Sequence, residues 1–434
     1  CLKKNITKKN IDMYPEWNQL ATHRNPPAIL KTKLQLPVKI LTGPGPTNCS
    51  ERVLQSLKNQ VLGHLHPELM DEIKAGLQYV FQTNNRLTLA LSASGHGGME
   101  ACLTNLLEPG ETVLVVKNGI WGERAADMAT RIGVHVRVIE TEHTSAVTLE
   151  QLETALHRHN PTAVFMVHAE SSTGLKQPLK GFGDLIHRYN ALFVVDTVAS
   201  LCGEPFFMDS WGVDATYTGS QKVLGAPPGL SPISFSPLAE YSLFLITPPF
   251  ILRKPLRNGN FITIYTRFLC CVRKKLFQRK TKPSSYYLDM TLLGNYWKCF
   301  GNESRVYHHT ISATLLYGLR EALAEIAEEG LQASWIRHAN AAARLRRGLE
   351  LRGLRSYVKI PQYQLSTVIS IELPPGVDDT IIVQRAMQNY NVEISRGLGP
   401  TVGKILRVGL LGTNATFGKV DLVLRALEIL PSKL

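Results

Sequence analysis

Residues 163–222 read AVFMVHAESSTGLKQPLKGFGDLIHRYNALFVVDTVASLCGEPFFMDSWGVDATYTGSQK. Three apolar runs, at 163–167, 192–196 and 215–218, have the length and residue types of buried strands. Between the first two, 179–189 reads as a helix. The second run ends in Asp196, and the third leads straight into Gly219-Ser220-Gln221-Lys222. Strand and helix alternating in this way predict a parallel, doubly wound α/β sheet. Such sheets bind ligands at the carboxyl ends of their strands, where this stretch carries its acid and its lysine.

The same rhythm extends upstream. Strands are expected at 87–91, 112–116 and 134–139, and helices at 69–82, 99–107, 124–132 and 149–157. Residues 92–98 read as a Gly-rich turn and 41–48 as a Gly/Pro loop, after which Ser50 can cap a helix. After Thr310 the texture changes to two helical runs, 311–329 and 335–351. Short strands at 368–373, 392–394 and 405–408 follow, then a helix at 420–430, which together read as a smaller α+β domain. The expected organisation is an arm at 1–40, a large domain at 41–329 interrupted by an atypical segment at 241–273, and a small C-terminal domain at 330–434. No internal repeat is visible.

With 434 residues, 44% of them hydrophobic, the chain can bury a large core and is not a disordered polymer. Seven cysteines without a C-x-x-C pair argue against a disulfide scaffold or structural zinc and favour reduced thiols inside a cell. No apolar run reaches the 18 residues of a membrane span. The net charge of +13 invites a nucleic-acid reading, but its distribution removes it. Residues 1–40 carry eight Lys/Arg and two acids, and 241–273 carry five Lys/Arg and no acid. Those segments hold +11 together, so the body of the protein is nearly neutral and offers no basic face. The expected partners are small molecules, with neither nucleic acid nor membrane.

Lys222, beside Gly and Ser at a strand end, can form a Schiff base with an aldehyde cofactor. An isolated lysine is usually only a solvated surface residue. Asp196, closing an apolar strand, can hold a pyridine nitrogen protonated, though a turn or cap role suits a lone Asp equally well. Ser94-Gly95-His96-Gly97-Gly98 joins a strand to a helix, where backbone N–H groups can bind phosphate. Its spacing only partly resembles a dinucleotide fingerprint. No acid-tipped strand follows at about 20 residues, so a nicotinamide dehydrogenase is a poor alternative. Trp121, on a Gly-flanked loop at 118–122, can stack on a flat ring or merely pack in the core. Arg407, inside an apolar strand, needs a carboxylate, from a substrate or from an internal Glu.

These motifs in order resemble the class V, fold-type I pyridoxal-phosphate aminotransferases, and most closely the members that use glyoxylate. The stretches that carry the resemblance are Gly43-Pro44-Gly45-Pro46, Ser94-Gly95-His96, Asn118-Gly119-Ile120-Trp121-Gly122, Glu170-Ser171-Ser172-Thr173-Gly174, Val195-Asp196-Thr197-Val198-Ala199-Ser200, Gly219-Ser220-Gln221-Lys222, Tyr307-His308-His309-Thr310, and Gly397-Leu398-Gly399-Pro400 through Leu406-Arg407-Val408-Gly409. The resemblance implies pyridoxal 5'-phosphate as cofactor, bound covalently by Lys222 and paired through Asp196. It implies that Trp121 stacks on the ring, and that Ser94, Gly95, His96, Ser171 and Gln221 hold its phosphate and substituents. Tyr307 and Thr310 would reach the cofactor of a partner subunit, making a homodimer with shared sites. Arg407 would clamp the substrate carboxylate and Gly45 would line the pocket. The implied reaction moves the amino group of alanine or serine to glyoxylate, giving pyruvate or hydroxypyruvate and glycine.

The alternatives are a kynurenine-type transaminase on the same scaffold, or an inactive isoform disabled by 241–273. That segment has no counterpart in the family and reads as a retained intron of 33 whole codons or as a real loop. Sequencing the transcript across it decides between them. Arg396 stands where the family has glycine, and strain is expected if its backbone needs a positive φ. Ser366 stands where a proline is expected, and the approach to the helix at 69–82 looks a few residues short. The terminal Ser432-Lys433-Leu434 reads as an address for the peroxisomal import receptor.

Overall fold

The computed structural model describes residues 27, 30, 32–63, 66–243, 279–301 and 304–428. Most of the atypical segment 241–273 and the terminal tripeptide lie outside the described residues. Lys39–Leu434 forms one compact unit. Cys1–Val38 forms another, in which residues 33–38 have no regular structure.

In chain order the strands are β1 (Ile40–Leu41), β2 (Leu87–Leu91), β3 (Thr112–Lys117), β4 (His135–Glu140), β5 (Ala163–Val167), β6 (Ala169–Glu170), β7 (Leu175–Lys176), β8 (Leu192–Asp196), β9 (Ala215–Tyr217), β10 (Ser231–Phe235), β11 (Val368–Glu372), β12 (Val392–Glu393), β13 (Ser395–Arg396) and β14 (Ile405–Gly409). The helices are α1 (Glu51–Ser56), α2 (Pro67–Phe81), α3 (Gly95–Leu106), α4 (Ile120–Arg131), α5 (Leu149–His159), α6 (Phe182–Arg188), α7 (Pro237–Leu243), α8 (Met290–Tyr296), α9 (Ala313–Glu329), α10 (Leu331–Glu350), α11 (Asp379–Tyr390) and α12 (Phe417–Ala426).

Seven strands make the central sheet in the order β2-β10-β9-β8-β5-β3-β4. Neighbours from β9 to β4 are parallel, while β10 runs antiparallel to both β2 and β9. This is the doubly wound, mostly parallel sheet of fold-type I. Strands β2, β5, β8, β9 and β10 are buried at every residue, as expected when helices cover a sheet, and only edge strand β4 is largely exposed. One core contains this sheet and its helices. A second core gathers α10, α11 and α12 around the small sheet β11-β14-β13. Ile40 packs on that second core, and β1 pairs in parallel with β12.

Several local expectations hold. Ser50 caps α1 by accepting from Val53 N at 3.1 Å, a contact worth about 1 kcal/mol. The helix at 67–81 starts with Pro67 in its first turn. Others are corrected. The helix expected at 99–107 begins at Gly95, so the Gly-rich turn is partly its first turn. The helix expected at 124–132 begins at Ile120, which puts Trp121 on a helix rather than a loop. Strand β10 is absent from the expected elements, and it carries Pro232 as its second residue. The Pro232 carbonyl accepts from Thr218 N at 2.9 Å, so the residue still gives its acceptor to the sheet. Arg396 lies on β13, is not among the residues with positive φ, and pairs with Asp379 at 2.8 Å. At Ser366 the backbone N–H donates to Glu204 Oε1 at 2.6 Å, a bond proline would forfeit. Among the described residues, no helix is long and apolar enough to cross a membrane.

Candidate active site

The carboxyl ends of β2, β3, β8 and β9 lead into Ser94, Trp121, Asp196 and Lys222 respectively, and the segment after β5 carries Ser171. The sheet order therefore brings together residues that are far apart in the chain. Asp196 and Tyr217 are register partners on β8 and β9. The Tyr217 hydroxyl donates to Asp196 Oδ2 at 2.6 Å, and Val198 N donates to Oδ1 at 2.7 Å. Burial lifts the Asp196 carboxyl to about 6, against those hydrogen bonds and the charge of Lys222, which favour ionisation.

Lys222 lies just past the turn after β9 and donates through Nζ to the carbonyl of Pro44. Burial lowers its amine to about 8; Asp196 opposes that shift and Arg407 adds to it. The loop at 42–47 stands between this lysine and β14. Gly45 has φ +115°, and a Cβ there would lie 2.4 Å from Lys222 Nζ. Thr47 N donates to Gln221 O at 2.9 Å, and Gly409 N donates to Thr42 O at 2.8 Å.

Ser94 is the N-cap of α3, yet its side chain makes no capping bond and is exposed. Gly95 and His96 form the first turn behind it. His96 stands edge-on to Trp121 at 5.4 Å, and its pKa is lowered by burial and by Arg124. Trp121 Nε1 donates to Ser171 Oγ at 2.8 Å. The Arg124 guanidinium lies 5.1 Å from the indole centre. Gln221 Oε1 is buried without a hydrogen-bond partner, as are both polar atoms of the Asn118 side chain. Arg407, on β14, donates to Arg396 O at 2.9 Å and Ser171 O at 3.1 Å. It makes no ion pair among the described residues. Burial lowers its pKa to about 10, opposed by the charge of Glu170. Tyr307 and Thr310 are exposed and hydrogen-bond each other at 3.3 Å.

Sequence reasoning left three members unassigned. Tyr217, Glu170 and the Pro44 carbonyl each touch a candidate residue directly. Glu170 had a signal, an acid inside an otherwise uncharged small-residue stretch; Pro44 had none, since a carbonyl carries no sequence signature.

Fold and site together describe a doubly wound α/β enzyme built around a lysine amine. The Aminotransferase class-V family model matches residues 48–243. An alanine–glyoxylate aminotransferase of Felis catus is 47% identical over 406 residues, covering 93% of this chain and 90% of its own length. The Drosophila melanogaster enzyme of the same name is 46% identical, with 93% and 95% covered. The crystal structure of the Nostoc sp. alanine–glyoxylate aminotransferase matches with TM-score 0.82 and 40% identity, over 94% of this chain and 100% of that one. The chain belongs to the class-V aminotransferases, and it is a transaminase.

Proposed function

We propose that the protein moves the amino group of alanine, or serine, to glyoxylate with pyridoxal 5'-phosphate as cofactor. The observation that carries this reading is the placement of Asp196 and Lys222 at the carboxyl ends of the neighbouring parallel strands β8 and β9, a buried acid and a buried amine at one sheet edge. The names borne by the cat, fruit-fly and cyanobacterial relatives support glyoxylate as acceptor.

The residues present fit the cofactor. Gln221 Oε1 is an orphaned acceptor, the Ser94 hydroxyl is uncommitted at the start of a twelve-residue helix, and Asp196 is an acid whose buried charge calls for a cation. When bound, pyridoxal phosphate supplies an aldehyde and a protonated ring that accepts the electrons left when an amino acid loses its α-proton. Lys222 Nζ would hold the cofactor covalently, and Asp196 would hold its ring nitrogen. Trp121 would stack on the ring, with Ser171 fixing the indole through Nε1. Ser94, Gly95 and His96 would bind the phosphate, and Gln221 a ring substituent. Tyr307 and Thr310 of a second copy would complete the phosphate site, which makes the enzyme a homodimer.

Arg407 binds the carboxylate of donor and acceptor in turn. Its hydrogen-bond partners among the described residues are main-chain carbonyls, which leave its charge available to a substrate carboxylate. Gly45 leaves room for substrate beside the lysine. Released when the donor's amine takes its place, a neutral Lys222 Nζ would accept the donor's α-proton and give the same proton up again within that half-reaction. Donor and acceptor occupy the same site in sequence, so ping-pong kinetics follow. The Ser432-Lys433-Leu434 tripeptide supports import into the peroxisome, which a fluorescent fusion ending in these residues tests.

The test is half-reaction chemistry. Purified protein loaded with pyridoxal phosphate is given alanine, serine or 3-hydroxykynurenine, and the keto product and the later conversion of glyoxylate to glycine are measured. Pyruvate and glycine are expected from alanine; their absence, with turnover of 3-hydroxykynurenine instead, overturns the reading.

A further inference from the structure

Helix α4 begins with backbone donors it cannot satisfy alone. Its first N–H groups have no partners within the helix. Its N-cap is Gly119, which has no side chain to offer. The missing acceptors come from a segment about fifty residues away in the chain. Glu170 Oε2 accepts from Trp121 N at 3.1 Å, and Ser172 Oγ accepts from Ile120 N at 3.3 Å. Ser172 in turn holds the acid, donating to Glu170 Oε1 through its N–H at 3.0 Å and through its hydroxyl.

The approach is possible only because residue 119 is glycine. A Cβ there would sit 2.3 Å from the Glu170 carboxyl carbon. Glu170 is fully buried, so its position costs free energy unless these donors hold it. An acid at a helix N-terminus also meets the favourable end of the helix dipole.

We propose that Glu170 is a positioning residue: it caps α4 from outside the helix and thereby sets the Trp121 indole at the angle that ring stacking needs. The same short turn reaches the substrate side. Ser171 takes the indole Nε1–H on its hydroxyl and the Arg407 guanidinium on its carbonyl, and Thr401 Oγ1 donates to Ser172 O at 3.2 Å. Residues 170–172 thus join the stacking residue to the carboxylate clamp. This inference rests on the pyridoxal-phosphate reading and adds a role for a residue that reading leaves out.

The test is a double-mutant cycle on Glu170→Gln and Trp121→Ala. Pyridoxal phosphate affinity is measured by titration, and near-ultraviolet circular dichroism is recorded on the cofactor-free protein. Glu170→Gln leaves one side-chain oxygen to accept where Glu170 uses both, from Trp121 N–H and from the two Ser172 donors. It should weaken cofactor binding about tenfold in the otherwise native chain, as expected for one charge-assisted hydrogen bond. With Ala at 121 the same change should cost less than about twofold, because the ring it positions is gone. Cofactor-free Glu170→Gln should also lose the aromatic dichroism band that Trp121→Ala removes. Equal weakening in both backgrounds, or an unchanged band, overturns the positioning role. Failure of the native protein to bind pyridoxal phosphate overturns the reading beneath it, while the dichroism comparison still judges the Glu170–Trp121 link. Should Glu170→Gln not fold, Ser172→Ala loosens the same cap from its other side and is read in the same way.

Discussion

Replacing Gly45 by alanine is the sharpest test of the site's construction. The new Cβ would lie 2.4 Å from Lys222 Nζ, 2.6 Å from its Cδ and 2.8 Å from its Cε. Ordinary contact begins at 3.4 Å, so the amine must retreat by about 1 Å. Retreat is possible, because the end of a lysine is flexible, but it gives up the bond to Pro44 O. That bond and the left-handed backbone at φ +115° set the stability cost at about 2–4 kcal/mol. The effect on chemistry is larger, since a reacting atom misplaced by about 1 Å costs on the order of a hundredfold in rate. Two assays separate these losses. Urea unfolding of the cofactor-free protein reads the first, and stopped-flow capture of pyridoxal phosphate, trapped by borohydride and checked by mass spectrometry, reads the second. Native capture rates in a Gly45→Ala protein of native stability would refute the placement of Gly45 against the lysine.

Capture by the native protein should rise with pH and level off above about 8, where burial has set the Lys222 amine; a rate still climbing at pH 10 contradicts that setting, and Lys222→Ala should show no borohydride-trapped adduct at any pH. Asp196 has its folded-state pKa raised from 3.8 to about 6, so the folded form binds the extra proton between those values and stability falls as pH rises through them. Asp196→Asn should therefore stabilise the cofactor-free protein at pH 7 by about 1–3 kcal/mol, change little at pH 4, and weaken pyridoxal phosphate binding; denaturant melts at both pH values and a cofactor titration check all three. Arg407→Gln should raise KM for alanine by about thirtyfold with a smaller change in kcat, and steady-state kinetics with equal effects on both would remove Arg407 from the carboxylate site.

Much of this site was legible because strand ends are local features. The run 192–196 is apolar until its last residue, and the run 215–218 hands over directly to Gly219 and Lys222. Period and composition alone therefore place an acid and an amine at one edge of a parallel sheet. Trp121 was harder. Its helix starts four residues before the apolar period suggests, because the cap that starts it is Glu170, which no neighbouring residue announces. Tyr217 reads as an ordinary strand residue until register sets it beside Asp196.

What the sequence determined by itself is the succession of buried strands and covering helices, and the chemical kind of each residue at the strand ends. Periodicity records which side of the backbone meets water, and that preference belongs to each segment separately. Only the tertiary structure decided that β10 enters antiparallel between β2 and β9, that Pro44 and Gly45 close on a lysine 178 and 177 residues away, and that Glu170 caps a helix it does not belong to. Those contacts come from how distant segments share one volume, and they shift the pKa of an amine or aim an indole without leaving a local pattern.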